Sequence, residues 1–224
     1  MFTGFNQKTV DFMWNLRLNN NKPWFEEHKE EFKRDFQMPM KELGQEVFAA
    51  IIAEYGEHGF IHKLSRIYRD ARRVRDGRPY RDNLWFSVEK PSAEKDESNG
   101  ILTFWFDLNP EGWSYGLGYY AAKAVTMEKL RTRIDGNPKA FEKLIDLLNG
   151  QDEFKLDGPE YARVKPSPMP KTQEWYNKKS FSLIHFGKID DKLFSREFAG
   201  RLVSGYKFLM PFYDYFAAAE NENV

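Results

Sequence analysis

The chain has 224 residues, with 34 Lys and Arg against 34 Asp and Glu, and it contains no cysteine. Balanced charge leaves no overall field to draw the molecule to DNA or an anionic membrane. The lack of cysteine excludes disulfides, thiolate metal sites and cysteine nucleophiles. Aromatic residues make up 17% of the chain, enough for a sizeable core in one domain spanning 1–224. The start, Met1-Phe2-Thr3-Gly4-Phe5, has no basic stretch followed by an apolar run. Nowhere do about 18 apolar residues follow one another. A soluble, cytoplasmic protein without a membrane span is the expectation.

The first third reads as helix. Asn6 or Thr9 caps a helix carrying Val10, Phe12, Met13 and Leu16, and Asn19-Asn20-Asn21 breaks it. Pro23 suits the first turn of the next helix, where its missing N–H costs nothing. Phe25, His28, Phe32 and Phe36 form one stripe of that helix, and Glu26, Glu27, Glu30 and Glu31 crowd its N-terminal half. Pro39 is expected to separate it from a third helix, with Met40, Leu43, Val47, Ile51 and Tyr55 facing inward and Gly56 and Gly59 at its end.

Next comes Arg66–Arg81, RIYRDARRVRDGRPYR, with seven arginines in sixteen residues. A planar guanidinium fork suits carboxylates and phosphates. Such a run either pairs with carboxylates of the fold or meets an anion. Exposed ion pairs contribute only ~0–1 kcal/mol each, so stability is a weak reason for so many. Read as a strand, the segment places Arg69, Arg73 and Arg75 on one face and Arg66, Arg72 and Arg78 on the other. Arg69, Arg72, Arg73 and Arg81 are the candidate anion ligands, with Tyr80 as a hydroxyl donor and Asp70 fixing one arginine by a bidentate pair. The competing reading is a solvated hairpin whose arginines pair with the glutamates of the second helix.

The middle of the chain alternates with period two. Leu84–Val88, Leu102–Leu108 and Trp113–Tyr119 read as strands of an antiparallel meander, with turn chemistry at Asn109-Pro110-Glu111-Gly112. Pro91–Gly100 reads as a solvated connection. Gly116 and Gly118 strip one face of the third strand, so backbone can approach a ligand beside Trp113, Tyr119 and Tyr120. The competing reading covers that face with a packed neighbour. A helix from Thr126 to Ile134 follows, then one capped by Asn137 and stopped by Gly150. Phe181–Phe186 suits a further strand, and Ser195 to about Ala219 an aromatic-rich helix. Helices, strands, then helices predict an α+β fold: an antiparallel sheet of four or more strands with helices mainly on one side.

Other chemistry finds little support. His58 and His62 are four apart, but Gly59 interrupts any helix between them and no glutamate follows His58. His28 and His185 sit in apolar surroundings. No metal site and no cofactor is predicted, and no GxSxG marks a serine nucleophile.

Three groups of residues together resemble a known family. They are Phe5, Phe12 and Leu16 with Asn20-Asn21-Lys22-Pro23-Trp24-Phe25; Arg69-Asp70-x-Arg72-Arg73 with Asp76 and Pro79-Tyr80-Arg81; and Gly116-x-Gly118-x-Tyr120 with Leu130 and Ile134. In this order they resemble a widespread bacterial family catalogued as domain of unknown function 2461, over roughly Phe2 to Gly187. The sequence departs from it around Val74 and Gly77: the family usually has an aromatic at or next to the first position and a lysine near the second. The resemblance implies the α+β fold and a single domain. It implies no chemistry. The residues themselves point to a small anionic ligand, phosphate- or carboxylate-bearing, on the arginine segment next to the glycine strand. An acidic protein partner ranks second and nucleic acid third.

Overall fold

Asn6 opens the first helix in the computed structural model, which describes residues 1–56, 59–70, 72, 74–91 and 100–220. Its Oδ1 accepts the Lys8 N–H at 2.9 Å, and the Thr9 hydroxyl accepts the Asn6 N–H at 3.4 Å. Both predicted caps therefore serve one helix start, that of α1 (Gln7–Leu18). Asn21 caps α2 (Lys22–Glu27) by accepting the Trp24 N–H at 3.1 Å, with Pro23 in the first turn. A short turn α3 (Lys29–Glu31) then runs through a π-helical stretch (Phe32–Gln37) into α4 (Met38–Tyr55).

The expected break at Pro39 does not occur. The chain widens instead, and the Met38 N–H reaches the Lys33 carbonyl. Pro39 has no N–H to offer the Asp35 carbonyl. That oxygen accepts the buried Thr9 hydroxyl at 2.6 Å. A residue that helps to start α1 thus satisfies the group that proline orphans.

The strands are β1 (Ile61–Leu64), β2 (Leu84–Glu89), β3 (Leu102–Asn109), β4 (Gly112–Tyr119), β5 (Lys155–Asp157) and β6 (Ser182–Gly187). They form a six-stranded antiparallel sheet in the order β1-β2-β3-β4-β6-β5. The three predicted meander strands and the predicted Phe181–Phe186 strand are all present. Between β3 and β4, Asn109 Oδ1 accepts the Glu111 and Gly112 N–H groups at 3.0 and 3.2 Å, an Asx turn. Along β3, Leu102, Phe104, Phe106 and Leu108 are buried and alternate with half-buried residues; β4 is buried at every position.

After the sheet come α5 (Ala124–Gly136), α6 (Pro138–Asn149), α7 (Gln173–Asn177), α8 (Asp191–Phe194) and α9 (Phe198–Ala219). Asn137 caps α6 as expected, accepting the Ala140 N–H at 3.2 Å. Thr126 does not cap α5, which begins two residues earlier. The expected connection Pro91–Gly100 lies almost wholly outside the described residues.

The chain groups into two compact units. One comprises Met1–Val88, Trp105–Tyr115 and Phe186–Ser204; the other comprises Glu89–Phe104, Gly116–His185 and Gly205–Val224. Each has an aromatic core. In the first, Phe106 lies 5.5 Å from Phe86 and 5.6 Å from Phe198, and Trp113 meets Phe198 edge-on at 4.8 Å. In the second, Phe181 lies 5.3 Å from Trp175 and 4.7 Å from Phe216. The abundant phenylalanine is mostly core in both.

Candidate anion-binding cleft

The arginine segment links β1 to β2, and it is a loop rather than a strand. Tyr68 and Tyr80 form a single antiparallel bridge. At this neck the Arg69 N–H donates to the Pro79 carbonyl at 2.8 Å and the Arg81 N–H to the Ile67 carbonyl at 2.7 Å. Beyond it, Pro79 has no N–H for a ladder and Gly77 takes φ 70°, so pairing stops. Among the described residues, the alternating arginine faces predicted for a strand do not form.

Asn20 clamps the neck from the helical region. Its Oδ1 accepts the Tyr80 N–H and its Nδ2 donates to the Tyr80 carbonyl, both at 3.0 Å. The Tyr80 ring stacks on Phe25 at 4.1 Å. The Asn20–Phe25 and Arg69–Arg81 motifs are therefore one assembly, the first holding the second. Tyr80 is only 3% exposed, so its predicted role as a hydroxyl donor to a ligand is corrected: it anchors the loop. Burial also pushes its phenol pKa up.

Above this anchor lies an open cleft of about 460 Å³, lined by Ser65, Arg66, Tyr68, Arg69, Asp70, Arg72, Arg81 and Trp85. Two of its arginines are neutralised by the segment's own aspartates. Arg72 forms the expected bidentate pair with Asp70, at 3.0 and 2.9 Å. Arg69 Nη1 meets both oxygens of Asp76 at 2.8 and 2.9 Å and the Arg78 carbonyl at 3.1 Å. The Arg69 hydrogen bond, helped by the Arg78 N–H, holds the Asp76 carboxyl below the usual carboxylate range. None of these partners is a glutamate of the second helix; Glu26 and Glu30 bind Lys29 and Lys33 instead. Among the described residues, the Arg66 and Arg81 side chains make no hydrogen bond or ion pair. Arg73 lies outside the described residues.

The family described as "Conserved hypothetical protein (DUF2461)" matches residues 8–215, a span that includes the whole cleft. The chain belongs to this family. No curated protein matches it. The match extends beyond Gly187, where the resemblance in the sequence ended, and takes in most of α9. The family's description names no activity.

In this member of the family the glycine strand does not contribute to the cleft. A Cβ on Gly116 would collide with the Leu183 carbonyl, and one on Gly118 with the Phe181 carbonyl and Ser182. The glycines do admit a close backbone approach, but the backbone belongs to β6. Trp113 and Tyr119, expected to be available for stacking, are 4% and 5% exposed. The Trp113 indole donates to the Lys188 carbonyl at 2.9 Å, and the Tyr119 hydroxyl donates to Glu220 at 2.8 Å. Tyr120 is 88% exposed but does not line the cleft.

The aromatic residues that line the cleft are Tyr68 and Trp85, which the sequence pattern did not single out. Tyr68 tops the Phe25–Tyr80 stack and remains half exposed. Trp85 is the outward residue of β2, pinned by its N–H to Ser65 Oγ at 2.9 Å. Its outward position was legible from alternation; its place beside arginines 4 to 19 residues upstream was not.

Three of the four histidines are described, and two of them contact backbone carbonyls. His28 stacks on Trp24 at 4.1 Å, with Nδ1 2.8 Å from the Trp24 carbonyl. His185 Nδ1 lies 2.9 Å from the Glu153 carbonyl. His62 is half buried, which lowers its pKa. His58 lies outside the described residues.

Proposed function

We propose that this protein is a cytoplasmic binder of a small anionic ligand, phosphate- or carboxylate-bearing, seated in the Arg66–Arg81 cleft. The observation that carries this reading is the surplus of cation. Four arginines line the cleft and Asp70 and Asp76 pair with two of them; among the described residues Arg66 and Arg81 make no hydrogen bond or ion pair, and Arg81 acts on the half-buried Asp107 only through its charge. A guanidinium held beside an open cavity is a ready donor to a carboxylate or phosphate. The exposed faces of Tyr68 and Trp85 favour a ligand that also carries a flat ring. A nucleoside monophosphate has both features and is the probe of choice.

The site moves the emphasis within the segment. Arg69 and Arg72 become the positioning pair, held by aspartates, and Arg66 and Arg81 become the contact residues. The test is titration with a nucleoside monophosphate, followed by Trp85 fluorescence and by melting temperature. The wild type should quench and gain thermal stability as RT ln(1 + [L]/Kd). Arg66→Ala/Arg81→Ala should lose both responses, and Trp85→Phe should lose the quench and keep the thermal gain. Equal responses in the wild type and the arginine double variant sink the reading.

Two outcomes would reassign the cleft. The Arg72 side chain stands 88% exposed at the rim, which suits a docked acidic surface. Binding of an acidic peptide without any response to the nucleotide makes that partner the function. Single-stranded nucleic acid should bind weakly and only at low salt, since phosphate contacts are lost with counterion competition. Sub-micromolar binding that survives ~0.15 M salt, where the Debye length is about 8 Å, puts nucleic acid first.

A further inference from the structure

Around Tyr161, three cations lie over one ring. The Lys165 ammonium is 4.7 Å from the ring centroid, the Lys179 ammonium 5.7 Å and the Arg131 guanidinium 5.8 Å. A ring has two faces, so at least two of these like charges share one. Attraction to the ring quadrupole draws each in, while their mutual repulsion opposes it.

The neighbouring acids are already engaged. Glu160 binds Lys178 and the Asn177 side-chain amide, both at 2.9 Å. Glu174 faces the same Lys178 at 4.0 Å, and Asp135 accepts the Tyr176 hydroxyl. Among the described residues the Lys165 and Lys179 ammonium groups make no hydrogen bond or ion pair, and Arg131 reaches only the Tyr176 carbonyl, at 3.4 Å.

The backbone beneath them is firmly tied. The buried Asn177 accepts the Tyr161 N–H on its carbonyl at 2.9 Å and the Lys165 N–H on its Oδ1 at 3.4 Å. Gln173 donates to the Lys165 carbonyl at 2.8 Å, and the Lys179 N–H donates to the Pro159 carbonyl at 2.7 Å. The charges are thus brought together by a built framework. Nothing in that framework neutralises them.

The geometry points to a second anion site, formed by Arg131, Lys165 and Lys179 around Tyr161, for a compact phosphate-type oxyanion. Two ammonium groups and one guanidinium suit a doubly charged centre approached from several directions, rather than the planar fork-to-fork pairing of a carboxylate. The oxyanion is either free phosphate or the terminal group of a small phosphomonoester. The site is independent of the arginine cleft.

The test is a titration of the full chain with inorganic phosphate and, separately, glycerol phosphate, at ionic strength held constant with chloride and read by backbone amide NMR. In the wild type the amides of Tyr161, Lys165 and Lys179 should shift saturably. Tighter binding of one ligand identifies the source. Lys165→Gln/Lys179→Gln should weaken the apparent affinity at least about tenfold, the loss of roughly one charge-assisted contact or more. Shifts confined to Arg66–Arg81 in the wild type overturn the proposal, as does unchanged affinity at Tyr161 in a folded double variant. The wild-type criterion stands by itself if the double variant fails to fold.

Discussion

The loop carrying Arg66–Arg81 and the strand carrying Gly116 and Gly118 meet their surroundings in opposite ways. The loop is pinned at its neck by the Tyr68–Tyr80 bridge and by Asn20, and Arg66, Arg69, Arg72 and Arg81 on either side of that neck line an open cleft. The strand is buried at every position, and the Leu183 and Phe181 carbonyls occupy the space its glycines free. A missing side chain and a surplus charge are therefore unequal signs of a ligand. A glycine in a sheet admits whatever lies nearest, and the nearest body is the next strand. A guanidinium is too costly to bury unpaired, so any arginine in excess of its acids stays accessible.

The sharpest way to break this contrast is Gly116→Ala. The added methyl meets backbone, which cannot move aside as a side-chain tip would. Overpacking of this kind costs roughly 1–3 kcal/mol and, against a ladder carbonyl, belongs at the upper end. Urea denaturation should show a lower midpoint with an unchanged slope. A Gly116→Ala protein as stable as the wild type means that the glycine face is open and the comparison fails.

Arg66→Ala/Arg81→Ala is the converse. Exposed residues without partners change stability by no more than about 0.5 kcal/mol when removed. The same protein should lose the nucleotide response. A drop in stability comparable to that of Gly116→Ala would mean that these arginines hold the fold and are not a surplus.

The finest distinction lies within the loop. Asp76→Asn releases Arg69 from its pair, so sulfate read by Trp85 fluorescence should bind a few-fold more tightly at neutral pH. Acid should do the same to the wild type. Asp76 has a depressed carboxyl pKa in the folded protein, so the pair is complete above the usual carboxylate range, near ~3.9 for aspartate, and opens only as pH falls through the lower folded value. A gain in sulfate binding already present in the wild type at neutral pH, with none added by Asp76→Asn, would mean that Arg69 is not restrained by Asp76.

Much of the architecture was legible in local pattern. Alternation placed β2, β3 and β4 within a residue or two, because a period of two fits only an extended chain. Pro23 and Asn137 marked helix starts, the one because its missing N–H costs nothing in a first turn, the other because its side chain satisfies an N–H only a few residues away. Pro39 misled because its broken hydrogen bond is repaired by Thr9, 30 residues earlier, a contact that no local pattern encodes. The arginine segment was visible as a charge run, and Asp70 as a partner, since it pairs with Arg72 two residues away.

The sequence alone determined the fold class, the bounds of β2, β3 and β4 to within a residue or two, and the charge run on which the proposed site rests, because strand alternation and charge density act over a few residues. Tertiary structure decided which of those residues are available. It buried Tyr80 against Phe25 and turned Tyr68 and Trp85 to the cleft. It closed Gly116 and Gly118 with β6. It also gathered Arg131, Lys165 and Lys179, spread over 49 positions of the chain, around one tyrosine. Availability depends on what lies against a side chain, and that is set by parts of the chain too distant in sequence for any local pattern to reach.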